Sequence, residues 1–397
     1  MSRFCQNLER QMNKARDCLT EEYVDLHLGM NHITRNDIKE RNLTIPRAIY
    51  GDDENSKAIV ICDGTYIYIH KIANFLFQRQ SYSLHKFQNL LKPFLIVCTD
   101  GYIIDVKGPY AATKTDANIM SSIMNNNLNP IHILLEPNDV FILDRGFRDS
   151  LGDIEACGYE YHVPPSKDRT ESQLTTEQAN ESRMVTMCRW VVEVVNGRFK
   201  RDFKLLRQKY FNKALRHLFD GFKIAAAILN HFHEPIADNQ YADMIVEEIR
   251  SKLDTPNILY NYVERKRLNQ RRADFVRYTE LQVISLALGT YQIKLARSYC
   301  SEHLQNGIYT IEIYRQNALE DLPDHGINED SSLMRGRIQS RHIRTRIYYC
   351  YILINNSSNI ISYYYCTCLT GRRTIGTCAH FVSIVWYLAY TPGTRDL

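Results

Sequence analysis

Two short runs of apolar residues, each ending in an aspartate, constrain the fold of this chain more than any other feature. Ala58–Asp63 has the sequence AIVICD, and Val140–Asp144 has the sequence VFILD. Continuous apolar runs of this length are typical of strands that are buried on both faces of an α/β sheet. The sequence therefore predicts one sheet that contains both runs, with an acidic side chain at the end of each.

The segments between and after these runs predict a mixed sheet flanked by helices. Phe94–Thr99 and Tyr102–Val106 flank an Asp100-Gly101 turn, which predicts a β-hairpin. The other predicted elements are a helix at 116–126 capped by Thr115 or Asp116, a strand at 159–163, and long helices at 176–200 and 213–232. The predicted order is three strands, a helix, a strand, a short helix, a strand and a long helix.

With 397 residues, the chain exceeds the size of one compact core, so we expect several domains. Its composition, 44% hydrophobic and 24% charged, is ordinary for a folded protein. We predict an α/β class with a larger sheet domain and a smaller α+β module. The predicted boundaries give a helical or irregular segment at 1–54, the sheet domain at 55–235, a helical linker at 236–330 and the α+β module at 331–397.

Bulk properties exclude some classes of protein. No stretch approaches the roughly 20 apolar residues that span a bilayer, so we expect no membrane partner. The eleven cysteines are scattered and odd in number, which argues against a disulfide framework and favours metal ligands in a reducing compartment. The net charge of +4 is too small to identify a polyanionic partner, so the local distribution of charge must do so.

Three acidic residues are candidates for a divalent-cation site. Asp63 and Asp144 end the two apolar runs, and Glu193 lies on the first long helix. Phosphodiester cleavage with two cations needs converging carboxylates, because hard cations prefer oxygen ligands. From the pattern alone, the aspartates could equally be ordinary turn residues, and Glu193 could be the i+4 partner of Arg189. The other acids that compete for a place are Asp100, Asp105, Asp116 and Asp149.

The motifs around these acids resemble a known family. The runs CDGTYIYIHK, SYSLHKFQNLLKPFLIVCTDGYIIDVKGPY, TDAN, FILDRGF and TTEQANESRMVTMCRWVVEVVNGRFKRDFK follow one another in order. Over residues 55–235 they resemble the DDE superfamily endonuclease domain of Harbinger/IS5-type transposases. The resemblance implies an RNase H-like fold for 55–235, with Asp63, Asp144 and Glu193 as catalytic acids that bind Mg²⁺ or Mn²⁺. It also implies DNA as the substrate.

The same resemblance gives Asp116 an accessory or helix-capping position outside the triad. Leu143, Arg145 and Phe147 depart from the residues that are usual around the second aspartate of the family. These departures leave the three acids intact, and therefore bear little on the expected chemistry.

Basic residues near Glu193 are candidates for contacts with DNA phosphates. They are Arg189, Arg198, Lys200, Arg201 and Lys204. Such clusters suit phosphate contacts that do not depend on base sequence. A solvated helix face is an equally good interpretation of each residue alone, and the proximity of the acids favours the phosphate contacts.

Near the C-terminus, two close pairs of metal-binding residues predict a zinc site. The ligands are Cys366, Cys368, Cys378 and His380. Three thiols and one imidazole suit a closed, tetrahedral, structural Zn²⁺ site. The pattern resembles a SWIM-type zinc finger at 331–397, in which strands precede the first pair and a helix follows the second. Cys350 is a fifth candidate, which we interpret as a buried strand residue.

Two functions remain open at this point. The first is an active transposase-like endonuclease that acts on DNA, with strand transfer as a further step. The second is a catalytically inactive, transposon-derived zinc protein that binds nucleic acid or protein. Residues 1–54 contain no zinc-ligand spacing and no convincing helix-turn-helix, so we interpret them as a remnant DNA-binding part. We accordingly expect a separate DNA-binding protein as partner, a homo-oligomer and a nuclear location.

Overall fold

The computed structural model describes residues 3–168, 170–266, 278–304, 310–314, 323, 326–328, 330–340, 343, 345–358 and 360–390. The contacts divide the chain into two compact units. The first consists of Met1–Pro164 and Val185–Gln240, and the second of Pro165–Met184 and Tyr241–Leu397. Within the described ranges, no helix is both long and apolar enough to cross a membrane.

The first unit is built on a mixed β-sheet. Its strands are β1 (Ile59–Gly64), β2 (Ile67–Tyr68), β3 (Tyr82–Ser83), β4 (Gln88–Cys98), β5 (Ile103–Ala111), β6 (Val140–Ile142) and β7 (Glu160–His162). β1 pairs with β4 in antiparallel orientation and with β6 in parallel. β7 extends the sheet in parallel beyond β6, and β5 forms the predicted hairpin with β4. The mixed sheet predicted from the sequence is confirmed.

The burial of β1 explains why its apolar run forms a central strand. Ile59, Val60, Ile61 and Cys62 are all fully buried. A strand that is covered on both faces needs continuous apolar residues rather than alternation, because each successive side chain points to the opposite face. Its position between β4 and β6 brings the ends of the two predicted acidic runs together.

Helices surround this sheet. They are α1 (Arg3–Cys18), α2 (Asp25–His27), α3 (Arg35–Glu40), α4 (Thr44–Tyr50), α5 (Phe75–Ser81), α6 (Asp116–Met124), α7 (Ile131–Leu134), α8 (Leu151–Ala156), α9 (Thr176–Asp202), α10 (Lys204–Arg207) and α11 (Leu218–Phe232). A π-helical turn follows α1, and 3₁₀ turns occupy Arg145–Ser150 and Asn212–His217. The two long helices predicted from the sequence correspond to α9 and α11.

The second unit contains an antiparallel sheet with the strand order β11-β10-β9-β8. The strands are β8 (Thr310–Tyr314), β9 (Ser331–Gln339), β10 (Ile347–Asn355) and β11 (Ile360–Cys366). The helices are α12 (Ala242–Lys252), α13 (Ile258–Lys266), α14 (Glu280–Ala287), α15 (Tyr291–Leu304) and α16 (Ala379–Tyr390). One core joins α14–α16 to the sheet, and a second, smaller core contains Leu259 and Tyr262 of α13.

The segment interpreted from the sequence as a helical linker, residues 236–330, therefore supplies helices that pack in the same cores as the C-terminal strands. It also supplies β8, which pairs with β9. The predicted boundaries at 54, 235 and 330 stay a prediction, because a compact unit need not coincide with a domain that folds alone.

Candidate active site

The first two predicted acids lie at or just beyond the ends of β1 and β6, which are neighbouring parallel strands, so both acids lie at the same end of the sheet. Ile59, Val60 and Ile61 pair with Val140, Phe141 and Ile142, respectively. Asp63 and Asp144 each lie two residues beyond the last of these pairs. Neighbouring strands lie about 4.8 Å apart, so the two carboxylates belong to one locus.

A short turn holds Asp144 in place after β6. Its carboxylate Oδ1 accepts a hydrogen bond of 2.6 Å from the Gly146 backbone N–H, and the residue caps the 3₁₀ turn Arg145–Ser150. Phe147, in the same turn, is fully buried and packs against Phe94 of β4, with ring centroids 5.9 Å apart. The turn is thereby anchored in the core while the Asp144 side chain stays one-third exposed.

Glu193 is connected to this locus by an arginine on its own helix. Arg189 Nη1 lies 3.1 Å from Glu193 Oε1, and Arg189 Nη2 lies 3.6 Å from Asp144 Oδ2. The i+4 pair that the sequence offered as an alternative role for Glu193 does form. Since the same guanidinium also contacts Asp144, the pair lies beside the strand ends. Glu193 is 61% exposed, which leaves its carboxylate accessible to a further ligand.

Asp63 is the buried member of the set. Its Oδ2 accepts a hydrogen bond of 3.4 Å from Asn196 Nδ2, one helical turn beyond Glu193. The pKa of Asp63 is raised to about 7, chiefly by burial; Arg189 acts to lower it, and the negative charges of Glu193, Asp144 and Asp116 act to raise it. All three acids are therefore close enough to Asp63 for their charges to affect its pKa.

The charges of the same acids also affect Tyr66. Burial raises the pKa of its phenol to about 12, assisted by the charges of Asp116, Asp63 and Asp144. The ammonium of Lys92 lies 5.8 Å from the Tyr66 ring centroid, and that of Lys86 lies 5.3 Å from it. Lys92 of β4 also forms an ion pair with Asp116, so this lysine lies beside the acids.

The donor set fits hard divalent cations. Carboxylate and amide oxygens are the ligands that Mg²⁺ and Mn²⁺ prefer. The side chain of Asn196 is buried beside Asp63, and among the described residues none donates to its Oδ1. The site thus offers an amide oxygen as well as carboxylates.

The predicted phosphate-binding residues fall into three groups. Arg189 lies at the acids. Arg198 donates to the backbone carbonyl of Glu234, and Arg201 forms a two-bonded ion pair with Asp202. Lys200 and Lys204 are exposed. Of these five residues, Arg189 has the contacts that link it directly to the acidic locus.

Sequence reasoning missed three contributors to this locus: Lys92, Asn196 and Tyr66. Asn196 lies on the same helix face as Arg189 and Glu193, and that helical spacing is a usable signal. Lys92 and Tyr66 carry no such signal, because their proximity to the acids depends on the pairing of β4 with β1 and β2. The family resemblance gives Asp116 an accessory position, and its charge acts to raise the pKa of both Asp63 and Tyr66.

The predicted zinc ligands form a separate cluster in the second unit. One donor atom from each of Cys366, Cys368, Cys378 and His380 lies within 4.8 Å of all the others. The three cysteines are buried. Cys366 ends β11, and His380 lies in the first turn of α16, so strands precede the cluster and a helix follows it. Buried thiols with one imidazole suit a tetrahedral structural Zn²⁺ site.

Hydrogen bonds among the thiols distinguish Cys378 from the others. Donation from Cys350, Cys366 and Cys368 holds the pKa of the Cys378 thiol well below its ordinary value. Burial instead raises the pKa values of Cys350 and Cys366. Cys350 is a fully buried residue of β10, as predicted, and its sulfur lies 3.2 Å from that of Cys366.

A comparison with family models gives a match for part of the chain. Residues 62–230 match the family described as DDE superfamily endonuclease. The match contains Asp63, Asp144 and Glu193 together with the strands and helices that bring them together. A search of curated proteins finds no match for the chain. Residues 62–230 are therefore similar to DDE superfamily endonuclease domains, a family of transposase-like nucleases that act on DNA with divalent metal.

Proposed function

We propose that this protein is a transposase-like DNA endonuclease in which Asp63, Asp144 and Glu193 hold the Mg²⁺ or Mn²⁺ ions. The register of β1 and β6 supports the proposal, because Asp63 and Asp144 each lie two residues beyond its last pair, Ile61 and Ile142. Glu193 joins them through its contact with Arg189, which also reaches Asp144. Three converging carboxylates are what cleavage with two metal ions requires.

The reaction that suits this site is hydrolysis of one DNA strand. A water oxygen attacks the phosphorus, the bond from phosphorus to the 3′ oxygen breaks, and the products are a 3′-hydroxyl and a 5′-phosphate. Bound divalent cations would lower the pKa of the attacking water and neutralise charge on the phosphate oxygens. The three acids orient the reacting groups, and Arg189 provides a positive charge beside them.

The basic residues on and after α9 would bind the DNA backbone. Arg189 is the nearest to the acids, and Lys200 and Lys204 are exposed. Arg198 would first have to release the Glu234 carbonyl, and Arg201 would have to release Asp202, before either could bind phosphate. Contacts of this kind give an affinity that falls steeply with salt and depends little on base sequence.

A nicking assay on supercoiled plasmid tests the proposal. We expect the full chain to convert the plasmid to the open circle in Mg²⁺ or Mn²⁺, and Asp144→Ala to abolish the conversion. The matched control is Asp149→Ala, which removes an exposed acid from the same 3₁₀ turn and should cut normally. An Asp144→Ala variant that cuts like the unchanged chain would contradict the proposal, and so would a folded chain that does not cut.

Several finer features belong to the same proposal. The freed 3′-hydroxyl would attack a second DNA strand, as strand transfer of the Harbinger/IS5 type requires. The enzyme would act in the nucleus as a homo-oligomer, with a separate DNA-binding protein that recognises the transposon ends. The motif resemblance supports these features, and a strand-transfer assay with a pre-cut 3′-hydroxyl end tests the first of them.

The Cys/His cluster would bind one structural Zn²⁺ in a SWIM-type module. Its support is the convergence of three buried thiols and an imidazole, with donor atoms within 4.8 Å of one another. A closed set of four protein ligands leaves no position for a substrate, so the ion would stabilise the fold of the second unit.

A second candidate function follows from a difference between the two sites. In the described part of the chain, one group of three or more potential metal ligands has donor atoms that all lie within 4.8 Å of one another, and that group is the Cys/His cluster. The carboxylates instead share Arg189. This favours, as the alternative, an inactive zinc protein that binds nucleic acid or protein through its second unit. DNA binding that persists in Asp144→Ala without cutting by either chain would support it.

A further inference from the structure

Asp116 begins α6 but does not cap it. The cap is Thr115, whose hydroxyl accepts a hydrogen bond of 3.1 Å from the Asn118 backbone N–H. Thr115 and Asn118 complete a reciprocal capping box, so the helix end needs nothing from the Asp116 side chain. Asp116 is nevertheless largely buried, with 15% of its side chain exposed.

The Asp116 carboxylate lies against both acidic strand ends. A β-carbon added to Gly64, the residue after Asp63, would overlap Asp116 Oδ1. A β-carbon added to Gly146, two residues after Asp144, would lie 3.7 Å from Asp116 Oδ2. The two glycines give the carboxylate room at the point where β1 and β6 end.

Lys92 of β4 pairs with this carboxylate inside the protein. Its Nζ lies 2.8 Å from Asp116 Oδ1 and donates to the Lys114 carbonyl at 2.9 Å. Only 7% of the lysine side chain is exposed. Removing one partner of a buried ion pair leaves an uncompensated charge, so the other partner then gains affinity for any available counter-ion.

An amide in the same locus independently indicates a ligand. Asn196 is 9% exposed and its Nδ2 donates to Asp63 Oδ2. Among the described residues none donates to its Oδ1, which is buried. A buried oxygen without a donor is costly unless a water or an ion satisfies it, and beside carboxylates a cation is one such ion.

We propose that Asp116 is a fourth carboxylate ligand of the divalent-cation site, and that Lys92 competes with the cation for it. The inference rests on the proposed function of the Asp63, Asp144 and Glu193 site and extends that site toward α6. The ligand class is a hard divalent cation, because every donor offered is an oxygen.

Opposite effects of two substitutions test the proposal. Mn²⁺ binding to the full chain without DNA is measured by electron paramagnetic resonance. We expect Asp116→Asn to weaken binding by about tenfold or more, since ligand shells of metal sites carry effects of that order. We expect Lys92→Met to strengthen binding severalfold, because the carboxylate loses its competing ammonium. The double variant should bind like Asp116→Asn.

A purely structural ion pair predicts a different pattern. Both single variants would then lower thermal stability and leave the Mn²⁺ affinity unchanged. Unchanged affinity in a folded Asp116→Asn variant would overturn the proposal, and so would weaker binding in Lys92→Met. If Asp116→Asn does not fold, which circular dichroism detects, Lys92→Met still decides the question.

Two further variants separate this inference from the proposed function. Asp100→Asn breaks another buried pair of the same unit, with Arg41 at 2.7 Å, at the opposite end of β4, and should not change Mn²⁺ binding. Asp144→Asn should abolish binding if the proposed function holds. Loss in Asp144→Asn without loss in Asp116→Asn overturns only the fourth ligand, whereas binding retained in both overturns the proposed function as well.

Discussion

Arg189 on α9 reaches Asp144 beyond the end of β6, with 3.6 Å between Nη2 and Oδ2. The same guanidinium also pairs with Glu193, one turn further along the helix. A positive charge therefore lies between two of the three predicted acids. Such a charge opposes the binding of cations at those acids and favours the binding of a phosphate beside them.

Replacing this arginine should separate the two effects. We expect Arg189→Met to bind Mn²⁺ severalfold more tightly, because the acids lose a competing cation. DNA binding should weaken. The slope of the logarithm of the binding constant against the logarithm of salt concentration should decrease in magnitude by about 1, the value for one phosphate contact. Calorimetry and a fluorescence titration at several salt concentrations measure the two affinities. Arg201→Met, on the same helix but paired with Asp202, is the control for Mn²⁺ binding. Equal Mn²⁺ affinity in the Arg189→Met variant and the unchanged chain would contradict this account of Arg189.

The raised pKa of Asp63 predicts a pH-dependent stability in cation-free protein. The folded chain keeps a proton on Asp63 up to a pKa of about 7, whereas the unfolded chain releases it near the ordinary value of 3.8. The folded state therefore binds more protons between these values, and stability falls as pH rises from about 4 to 7. Above that window this contribution is constant.

Asp63→Asn should remove this contribution. Between pH 5 and 6, we expect the unfolding free energy of the unchanged chain to fall by about 1.4 kcal/mol per pH unit relative to the variant, and more gradually as pH approaches 7. Urea denaturation in the presence of a chelator measures both proteins. Parallel stability profiles for the two proteins would show that Asp63 titrates normally.

The contact between Gly64 and Asp116 predicts a strong effect of one methyl group. Gly64→Ala should destabilise the chain by about 1–3 kcal/mol, the usual effect of overpacking, because the added carbon overlaps the carboxylate. Gly152→Ala is the matched control in the exposed part of α8, where nothing lies within 4 Å of the added carbon. It should stabilise the helix by about 0.5–1 kcal/mol. Thermal unfolding distinguishes the two, and equal effects would contradict the close contact.

The Cys/His cluster predicts one zinc ion per chain. We expect mass spectrometry of the purified protein to detect this ion. The Cys378→Ala variant should contain no zinc, and its second unit should no longer unfold in a cooperative transition. Binding of a structural zinc contributes about 10–16 kcal/mol in zinc-finger peptides, so its loss should be decisive for folding. Cys18→Ala, which changes an exposed cysteine outside the cluster, should keep the ion. A Cys378→Ala variant with full zinc content would contradict the site.

The sequence predicted the parts of the fold that depend on local pattern. The apolar runs that end at Asp63 and Asp144 are β1 and β6, and the Asp100-Gly101 turn joins β4 and β5. The i, i+4 and i+7 spacing of Arg189, Glu193 and Asn196 is also visible in the sequence, although it did not identify Asn196 as a site residue. These features depend on burial and on the geometry of single elements, and both produce a visible period of apolar residues in the sequence.

What the sequence could not supply depends on pairing between distant elements. Lys92 meets Asp116 because β4 pairs with β1, which also packs beside α6, and no spacing along the chain reveals this contact. The helices of 236–330, predicted as a linker, bury their apolar residues against strands that lie far away along the chain. Their role in the core becomes visible only with β9–β11 in place. Long-range contacts of this kind require the fold itself.

The most direct measurement of the central claim is anomalous diffraction from crystals of the full chain soaked in Mn²⁺. The account predicts manganese peaks within bonding distance of Asp63 and Asp144, about 3.5 to 4 Å apart if two ions bind, with Glu193 turned toward one of them. A well-ordered site with no manganese at these carboxylates at saturating Mn²⁺ would contradict the account.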